Sequence, residues 1–372
     1  MKKIMQFIHG MTMGGAETLV KDYLLNLNKK EYELVLLVMK KYNTLYEKIL
    51  EAHGIKVIYI DKETKLSKKN NIVSRIINYI KRYITVKKVI NIEEPDILHI
   101  HLPIESYVKF AKPKKPIKIF STIHSAPQEL YNNTYKRQKE LKAAKWLVKN
   151  YNMRFIVLHN DMRKEINKMF NVDNSIILNN GIDFKRFENP KLKMDIRREL
   201  NIPENAFVVG HVGRFSKVKN HNFLIDVFNE INKKNENSFL LMIGNGREIN
   251  CIENRLHKLQ LDNKYLILKD RIDIPDLMNA MDVFIFPSTY EGLGIVLIEA
   301  QKMKLPCFKS DVVPNYAIIS NLVTTLSLDD NPYIWADKVL NYKYPAKINI
   351  NEKEWDIKMV VQKLEKIYQD KI

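Results

Sequence analysis

The chain has 372 residues, is 45% hydrophobic and carries a formal net charge of +18, which predicts two domains with sizeable cores. Its two cysteines, Cys251 and Cys307, lie far apart and outside any Cys-x-x-Cys or metal-ligand spacing, so neither a disulfide framework nor a zinc site is expected. No apolar run reaches the length of a membrane-spanning helix, which leaves a soluble or peripheral protein in a reducing cytosol as the expectation.

The start, Met1-Lys-Lys-Ile-Met-Gln-Phe-Ile-His9, has the outline of a signal peptide, but its apolar stretch is one strand long and is interrupted by Gln6 and His9. Residues 4–8 therefore read as a strand. The loop His9-Gly10-Met-Thr-Met-Gly14-Gly15-Ala16-Glu17 then leads into a helix over 16–27. It has neither the Gly-x-Gly-x-x-Gly spacing of a dinucleotide site nor the Gly-Lys-Ser/Thr ending of a Walker loop, but its glycines suit close backbone approach to a ligand. Further strands are expected over 34–38, 57–60, 97–100, 117–121 and 155–158.

Positive charge is concentrated in the first half: residues 1–190 carry 35 Lys and Arg against 19 Asp and Glu, whereas residues 191–372 carry 26 against 24. Residues 65–88 hold eight basic residues and no acidic one, interleaved with Ile72, Ile76, Ile80 and Ile84. The four-residue spacing predicts an amphipathic basic helix. Two roles fit it: a core-packing helix with a solvated lysine face, or a helix lying on an anionic membrane surface. More basic residues over 109–118 and 136–149 favour an anionic surface or an anionic, lipid-linked acceptor as partner. Recognised nucleic-acid modules are absent from the sequence, so no nucleic-acid partner is expected.

Histidines follow two of these strands, His99 and His101 in Leu98-His-Ile-His-Leu-Pro103 and His124 in Ser121-Thr-Ile-His-Ser125. Alternation puts His99 and His101 on one strand face, where they could serve as metal ligands, but no carboxylate or cysteine partner is near in sequence. A structural role is favoured for His99. For His124 structure and function both remain open.

A turn-rich segment, Asn179-Asn180-Gly181-Ile182-Asp183, marks the domain boundary. Beyond it, strands over 208–212, 239–243, 265–268 and 283–286 alternate with helices near 222–233, 251–259, 274–280 and 295–303. Alternation in both halves implies parallel sheets covered by helices, with the chemistry on loops just after strands. Gly213-Arg214 and Lys219 follow the first of these strands, and this pairing of a planar guanidinium with a flexible ammonium suits a diphosphate. Glu291-Gly-Leu-Gly-Ile-Val-Leu-Ile-Glu299 follows the last, a glycine loop opening a helix between two carboxylates. Helix-start amides suit a phosphate, and carboxylates suit sugar hydroxyls. Glu299 is expected about two turns into that helix.

In order, Gly213-Arg214 with Lys219-Asn220-His221, Gly244-Asn-Gly246, Asp282 to Ser288 and Glu291 to Gln301 resemble glycosyltransferase family 4, especially the branch assembling capsular, exo- and other cell-surface polysaccharides. The first half resembles it less sharply, through Gly14 to Glu17, Asp96 to His101 and Thr122 to His124. This resemblance implies an α/β protein of GT-B fold, with two Rossmann-like doubly wound domains facing a central cleft. Its domains would be an acceptor side over 1–185, a donor side over 186–350 and a closing helix over 351–372. The implied reaction is retaining transfer of a hexose or N-acetylhexosamine from a nucleoside-diphosphate sugar, a UDP-sugar, to a lipid-linked or growing polysaccharide, with no metal or other cofactor.

Carried onto this sequence, Gly213, Arg214 and Lys219 would bind the diphosphate, Glu299 the ribose and Glu291 the transferred sugar. Amides of Gly292, Leu293, Gly294 and Ile295 would complete the cradle, Gly15 would line the cleft opposite, and His124 would contact the sugar or orient the acceptor. The implied catalytic set is His124, Arg214, Lys219 and Glu291. Lys304 and Phe308-Lys309 depart from the family's pattern beside the donor region. A nucleotide-sugar epimerase and a non-enzymatic basic membrane- or nucleic-acid-binding protein are the alternatives. Residues 65–88 would hold the enzyme peripherally at the cytoplasmic face of the membrane.

Overall fold

The computed structural model describes residues 1–12, 14–64, 71–113, 116–131 and 134–371. The chain divides into two compact units, Met1–Asp183 joined by Glu354–Ile372, and Phe184–Lys353.

In the first unit, β1 (Lys2–Ile8), β2 (Tyr32–Val38), β3 (Lys56–Tyr59), β4 (Ile97–His101), β5 (Lys118–Thr122), β6 (Arg154–Val157) and β7 (Ile176–Ile177) form a parallel sheet in the order β3-β2-β1-β4-β5-β6-β7. Runs such as Leu34 to Val38 are buried on both faces, as helix-covered parallel strands must be. Asp96 fixes the start of β4 beside β1: its carboxylate accepts from the Lys3 amide at 2.8 Å, and its own amide donates to the Lys3 carbonyl at 2.9 Å. One face is covered by the helix Gly15–Asn26 and by the closing helix Ile357–Tyr368, whose Val360, Leu364 and Tyr368 share a core with Ile4, Ile8, Leu19 and Tyr23.

The helix Ile72–Glu93 is capped by Asn71, which accepts from the Ser74 amide at 2.8 Å. It turns Tyr83, Val86, Val89 and Ile90 inward, at spacings of three and four. Ile72, Ile76, Ile80 and Ile84 are instead 74, 54, 50 and 54% exposed. The helix therefore packs on the core through another face, and for the isoleucine stripe alone the core-packing alternative is corrected, since that stripe is turned to solvent. Lys65, Lys68 and Lys69, part of the predicted basic segment, lie outside the described residues.

In the second unit, β8 (Phe207–Val212), β9 (Ser238–Ile243), β10 (Tyr265–Leu268), β11 (Val283–Phe286), β12 (Cys307–Ser310) and β13 (Val323–Leu326) form a parallel sheet in the order β10-β9-β8-β11-β12-β13. Asp282 here does what Asp96 does in the first unit. Its Oδ2 accepts from the Val208 amide and from buried Arg197, both at 2.7 Å, tying the start of β11 to β8. Asp282 therefore belongs to the scaffold at the end of the sheet opposite the loops that follow the strands. β12 and β13 are additions to the predicted strands, masked in sequence by Lys309 and by the polar pair Thr324-Thr325. Lys309 is fully buried, and its ammonium donates to the carbonyls of Ser310 at 3.2 Å and Val313 at 2.8 Å.

Each sheet reverses its winding direction beside its first strand, between β1 and β4 and between β8 and β11. Such points open a crevice at the carboxyl ends of the strands, where α/β sheets receive ligands.

Candidate active site

In the second unit the loops that leave β8 and β11 meet at this point. Thr289 donates its amide to the Val218 carbonyl at 2.8 Å, stitching one loop to the other. Beside that stitch the Lys219 ammonium donates to Glu291 Oε1 at 2.5 Å and stands 4.8 Å from the centre of the Phe286 ring. The two side chains are 16 and 11% exposed, so the pair is largely shielded yet reachable. Arg214, on the same loop as Lys219, is exposed and makes no ion pair among the described residues. A cation committed to a carboxylate and a second, uncommitted one thus share one loop.

Glycines shape that loop through close backbone approach. A Cβ on Gly244 would stand 2.0 Å from the Gly213 carbonyl oxygen, and one on Gly246 would stand 2.1 Å from that of Phe215. Amides of Gly213 and Phe215 donate to the carbonyls of Ile243 and Asn245, both at 2.9 Å, so the loop after β9 is the mould for the loop after β8. Gly294 adopts φ +86°, a left-handed conformation, and caps the helix Ile295–Lys302. Because the helix begins at Ile295, Glu299 lies in its second turn, shallower than the two turns expected from sequence. Glu299 is half-buried, Leu293 is buried, and Gly292 and Ile295 flank them at the helix start.

Two buried histidines, His211 and His221, flank the loop after β8. His211 on β8 donates from Nδ1 to the Ile285 carbonyl at 2.9 Å, and His221 stacks on Phe215 with ring centres 4.4 Å apart. Burial lowers the His211 pKa to about 4 and pushes His221 far down as well, so both are neutral near pH 7.

In the first unit, Gly15 opens the helix after β1, and His124 lies two residues beyond β5. His99 and His101 do share a face of β4, with ring centres 4.2 Å apart. Their nitrogens are taken by protein partners: His99 by Tyr368 and Thr122, both at 2.6 Å, and His101 by Gln6 at 2.6 Å and His124 at 3.0 Å. Among the described residues no group of three His, Cys, Asp or Glu is placed to hold a metal ion.

Residues 13–186 match the profile of Glycosyltransferase Family 4, and residues 193–341 that of Glycosyl transferases group 1. The chain is a glycosyltransferase. It is 27% identical to the capsular polysaccharide biosynthesis glycosyltransferase CapH of Staphylococcus aureus, over 100% of this chain and 99% of the relative. It is 26% identical to the UDP-Gal:alpha-D-GlcNAc-diphosphoundecaprenol alpha-1,3-galactosyltransferase of Escherichia coli, over 80 and 81% of the two chains. The crystal structure of HepE from Anabaena, solved with UDP and glucose, matches with a TM-score of 0.74 at 17% identity, over 99% of this chain and 100% of that one. Both units of the glycosyltransferase are Rossmann-like, the GT-B class.

Within this glycosyltransferase the structure joins Lys219 to Glu291 and builds their surroundings from Gly213, Gly244, Gly246 and Gly294. Sequence reading missed Gln6, Tyr368, His211 and the buried Glu105. A polar Gln6 inside the apolar strand Ile4 to Ile8 was the available signal, since a buried polar group must find a partner. Tyr368 gave no comparable signal, its partners lying 269 and 362 positions away in sequence.

Proposed function

We propose that this glycosyltransferase moves a hexose or N-acetylhexosamine from a UDP-sugar to a lipid-linked or growing cell-surface glycan, with retention at the anomeric carbon and without a metal ion. The observation that carries the reading is the Lys219–Glu291 pair at the reversal point of the second sheet, 2.5 Å apart and beside a helix start. Arg214 and Lys219 take the diphosphate, and the amides from Gly292 to Ile295 add the partial positive charge of a helix N-terminus. Glu291 accepts bonds from hydroxyls of the transferred sugar and Glu299 from the ribose. The anomeric C–O bond breaks toward the diphosphate, which leaves with the electron pair. The acceptor oxygen bonds to the same face of the anomeric carbon, and its proton passes to the departing phosphate oxygen. Fixed cations meeting that developing charge do the work a divalent ion does elsewhere. The similarity to a capsular enzyme and to a diphosphoundecaprenol galactosyltransferase supports this donor and acceptor class.

Gly15 lines the acceptor side in this reading, and His124 contacts the sugar or orients the acceptor. Contact with an anionic membrane is part of the same proposal. On the helix Ile72–Glu93, exposed Ile72, Ile76, Ile80 and Ile84 stand among exposed Arg75, Lys81, Lys87 and Lys88, the pairing of apolar stripe and basic flank that an acidic lipid surface attracts. No described helix is long and apolar enough to cross a membrane.

The test is a panel of nucleotide sugars scored by thermal stabilisation, followed by NMR of the anomeric configuration formed on a lipid-diphosphate-sugar acceptor. Stabilisation by a UDP-sugar and a product with the donor's configuration are expected. Stabilisation by none of the panel, or an inverted product, overturns the reading.

A further inference from the structure

A chain of buried polar groups runs from the closing helix through the first sheet to His124. Gln6, His99, His101 and Tyr368 are each 0% exposed, so each polar atom among them must be satisfied by its neighbours. Sheet register aligns the groups: Gln6 pairs with His99 across β1 and β4, and His101 with Thr122 across β4 and β5, all on the face that Ile357–Tyr368 covers. His124, two positions after Thr122, continues that alternation past the end of β5.

Donors and acceptors along the chain can be assigned in one direction. The Gln6 Nε2 amide donates to Tyr368 Oη at 3.0 Å, so the tyrosine hydroxyl donates onward to His99 Nδ1 at 2.6 Å, and His99 Nε2 donates to Thr122 Oγ1 at 2.6 Å. On the other side Gln6 Oε1 accepts from His101 Nε2 at 2.6 Å. A neutral imidazole carries one proton, so His101 Nδ1 is bare and accepts from His124 Nε2 at 3.0 Å. By the same count His124 Nδ1 is a bare acceptor. The hydrogen bond at one ring nitrogen decides which proton the other carries.

We infer that Tyr368, Gln6 and His101 are positioning residues that hold His124 in the Nε2–H tautomer, so that its Nδ1 is presented as a hydrogen-bond acceptor to a hydroxyl of the sugar or acceptor. The closing helix thereby takes part in setting the site, through a single hydroxyl. Reversing the Gln6 amide would reverse every bond from Tyr368 to His124 and turn Nδ1 into a donor. With the amide oriented as it stands, Tyr368 Oη accepts from Nε2 and passes its own proton to His99, which sets the sense of the whole chain. The inference rests on the proposed role of His124 for its effect on transfer, but the tautomer itself is independent of that role.

The experiment is nitrogen chemical-shift NMR of the imidazoles in the full-length enzyme, with steady-state transfer kinetics alongside. In the parent, His124 is expected to show a protonated Nε2 and an unprotonated Nδ1. Tyr368→Phe frees the amide and is expected to mix the two tautomers at His101 and His124, lowering kcat by about tenfold with the KM for the UDP-sugar unchanged. Gln6→Met, which removes both bonds of the amide, is expected to act in the same way and serves if the tyrosine variant folds poorly. A parent His124 protonated on Nδ1, or a Tyr368→Phe spectrum identical to the parent's, overturns the inference. His124→Ala with undiminished transfer would instead refute the functional reading of His124, leaving the tautomer measurement to decide the relay.

Discussion

Lys219 and Glu291 face each other at 2.5 Å across loops that follow β8 and β11, so the cation proposed for the diphosphate and the carboxylate proposed for the sugar are partners of each other. The pair keeps two largely shielded charges compensated. In the proposed reading, a donor would bring its own negative charge to Lys219 and its own hydroxyls to Glu291, so that each group exchanges one partner for another.

The mould around the loop after β8 leaves no room for an added methyl group at Gly244. Gly244→Ala places a Cβ 2.0 Å from the Gly213 carbonyl oxygen and 2.9 Å from its carbon, backbone atoms that cannot swing aside as the end of a side chain can. Denaturant melts should register a loss of about 1–3 kcal/mol, and UDP affinity should fall with it. Parent-like stability and affinity would show that the loop relaxes freely.

Glu105 gives a pH dependence in the first unit. Burial, and after it the nearby Glu140 carboxylate, raise its pKa to about 8 from an ordinary 4.5. Ser121 and Tyr131 donate to its Oε1 at 3.2 and 3.0 Å, while Oε2 is buried without a partner. The folded pKa exceeds the unfolded one, so this carboxyl's contribution is complete below about pH 4.5 and is lost as pH rises towards 8. Melting the parent and Glu105→Gln across that window should show a slope in the parent that is reduced in the variant. Parallel curves would contradict the assignment.

Vesicle binding should depend on both halves of the helix Ile72–Glu93. Ile76→Asp with Ile80→Asp alters two exposed positions and should leave the melt unchanged while abolishing co-sedimentation with vesicles rich in phosphatidylserine. Binding by the parent should weaken with salt, because charges at a surface are screened beyond ~8 Å at physiological ionic strength. Undiminished binding by the double variant would remove this helix from the contact.

Transfer should survive chelation. If Arg214, Lys219 and the helix-start amides meet the leaving-group charge, excess EDTA leaves kcat unchanged, whereas Arg214→Ala lowers it by about 10²–10³-fold. A rate abolished by EDTA and restored by a divalent ion would require a different account of leaving-group stabilisation.

Much of the architecture was legible because the strands of parallel sheets are short apolar runs bounded by turns, as at Val208 to Val212 and Val283 to Phe286. β12 was not, because Lys309 interrupts its pattern and is tolerated only through the Ser310 and Val313 carbonyls that receive its protons. At the candidate site, residue types and their place after strands pointed to Lys219 and Glu291, but their mutual bond needed the fold. The isoleucine stripe at 72, 76, 80 and 84 was visible as a pattern, yet periodicity alone does not say whether a stripe faces inward; Tyr83, Val86, Val89 and Ile90 settle that by filling the inner face. Gln6 and Tyr368 show the limit most plainly, since a bond across 362 positions leaves no local trace.

Isothermal titration of UDP and of the UDP-sugar into the parent, Lys219→Ala and Glu291→Ala proteins tests the division of labour between these two residues most directly. Lys219→Ala should weaken both ligands. Glu291→Ala, which releases Lys219 from its partner, should bind UDP as tightly as the parent or tighter while losing the added affinity conferred by the sugar, and its transfer rate should collapse. Equal weakening of UDP and UDP-sugar by Glu291→Ala, or transfer at the parent rate in either variant, would contradict the account.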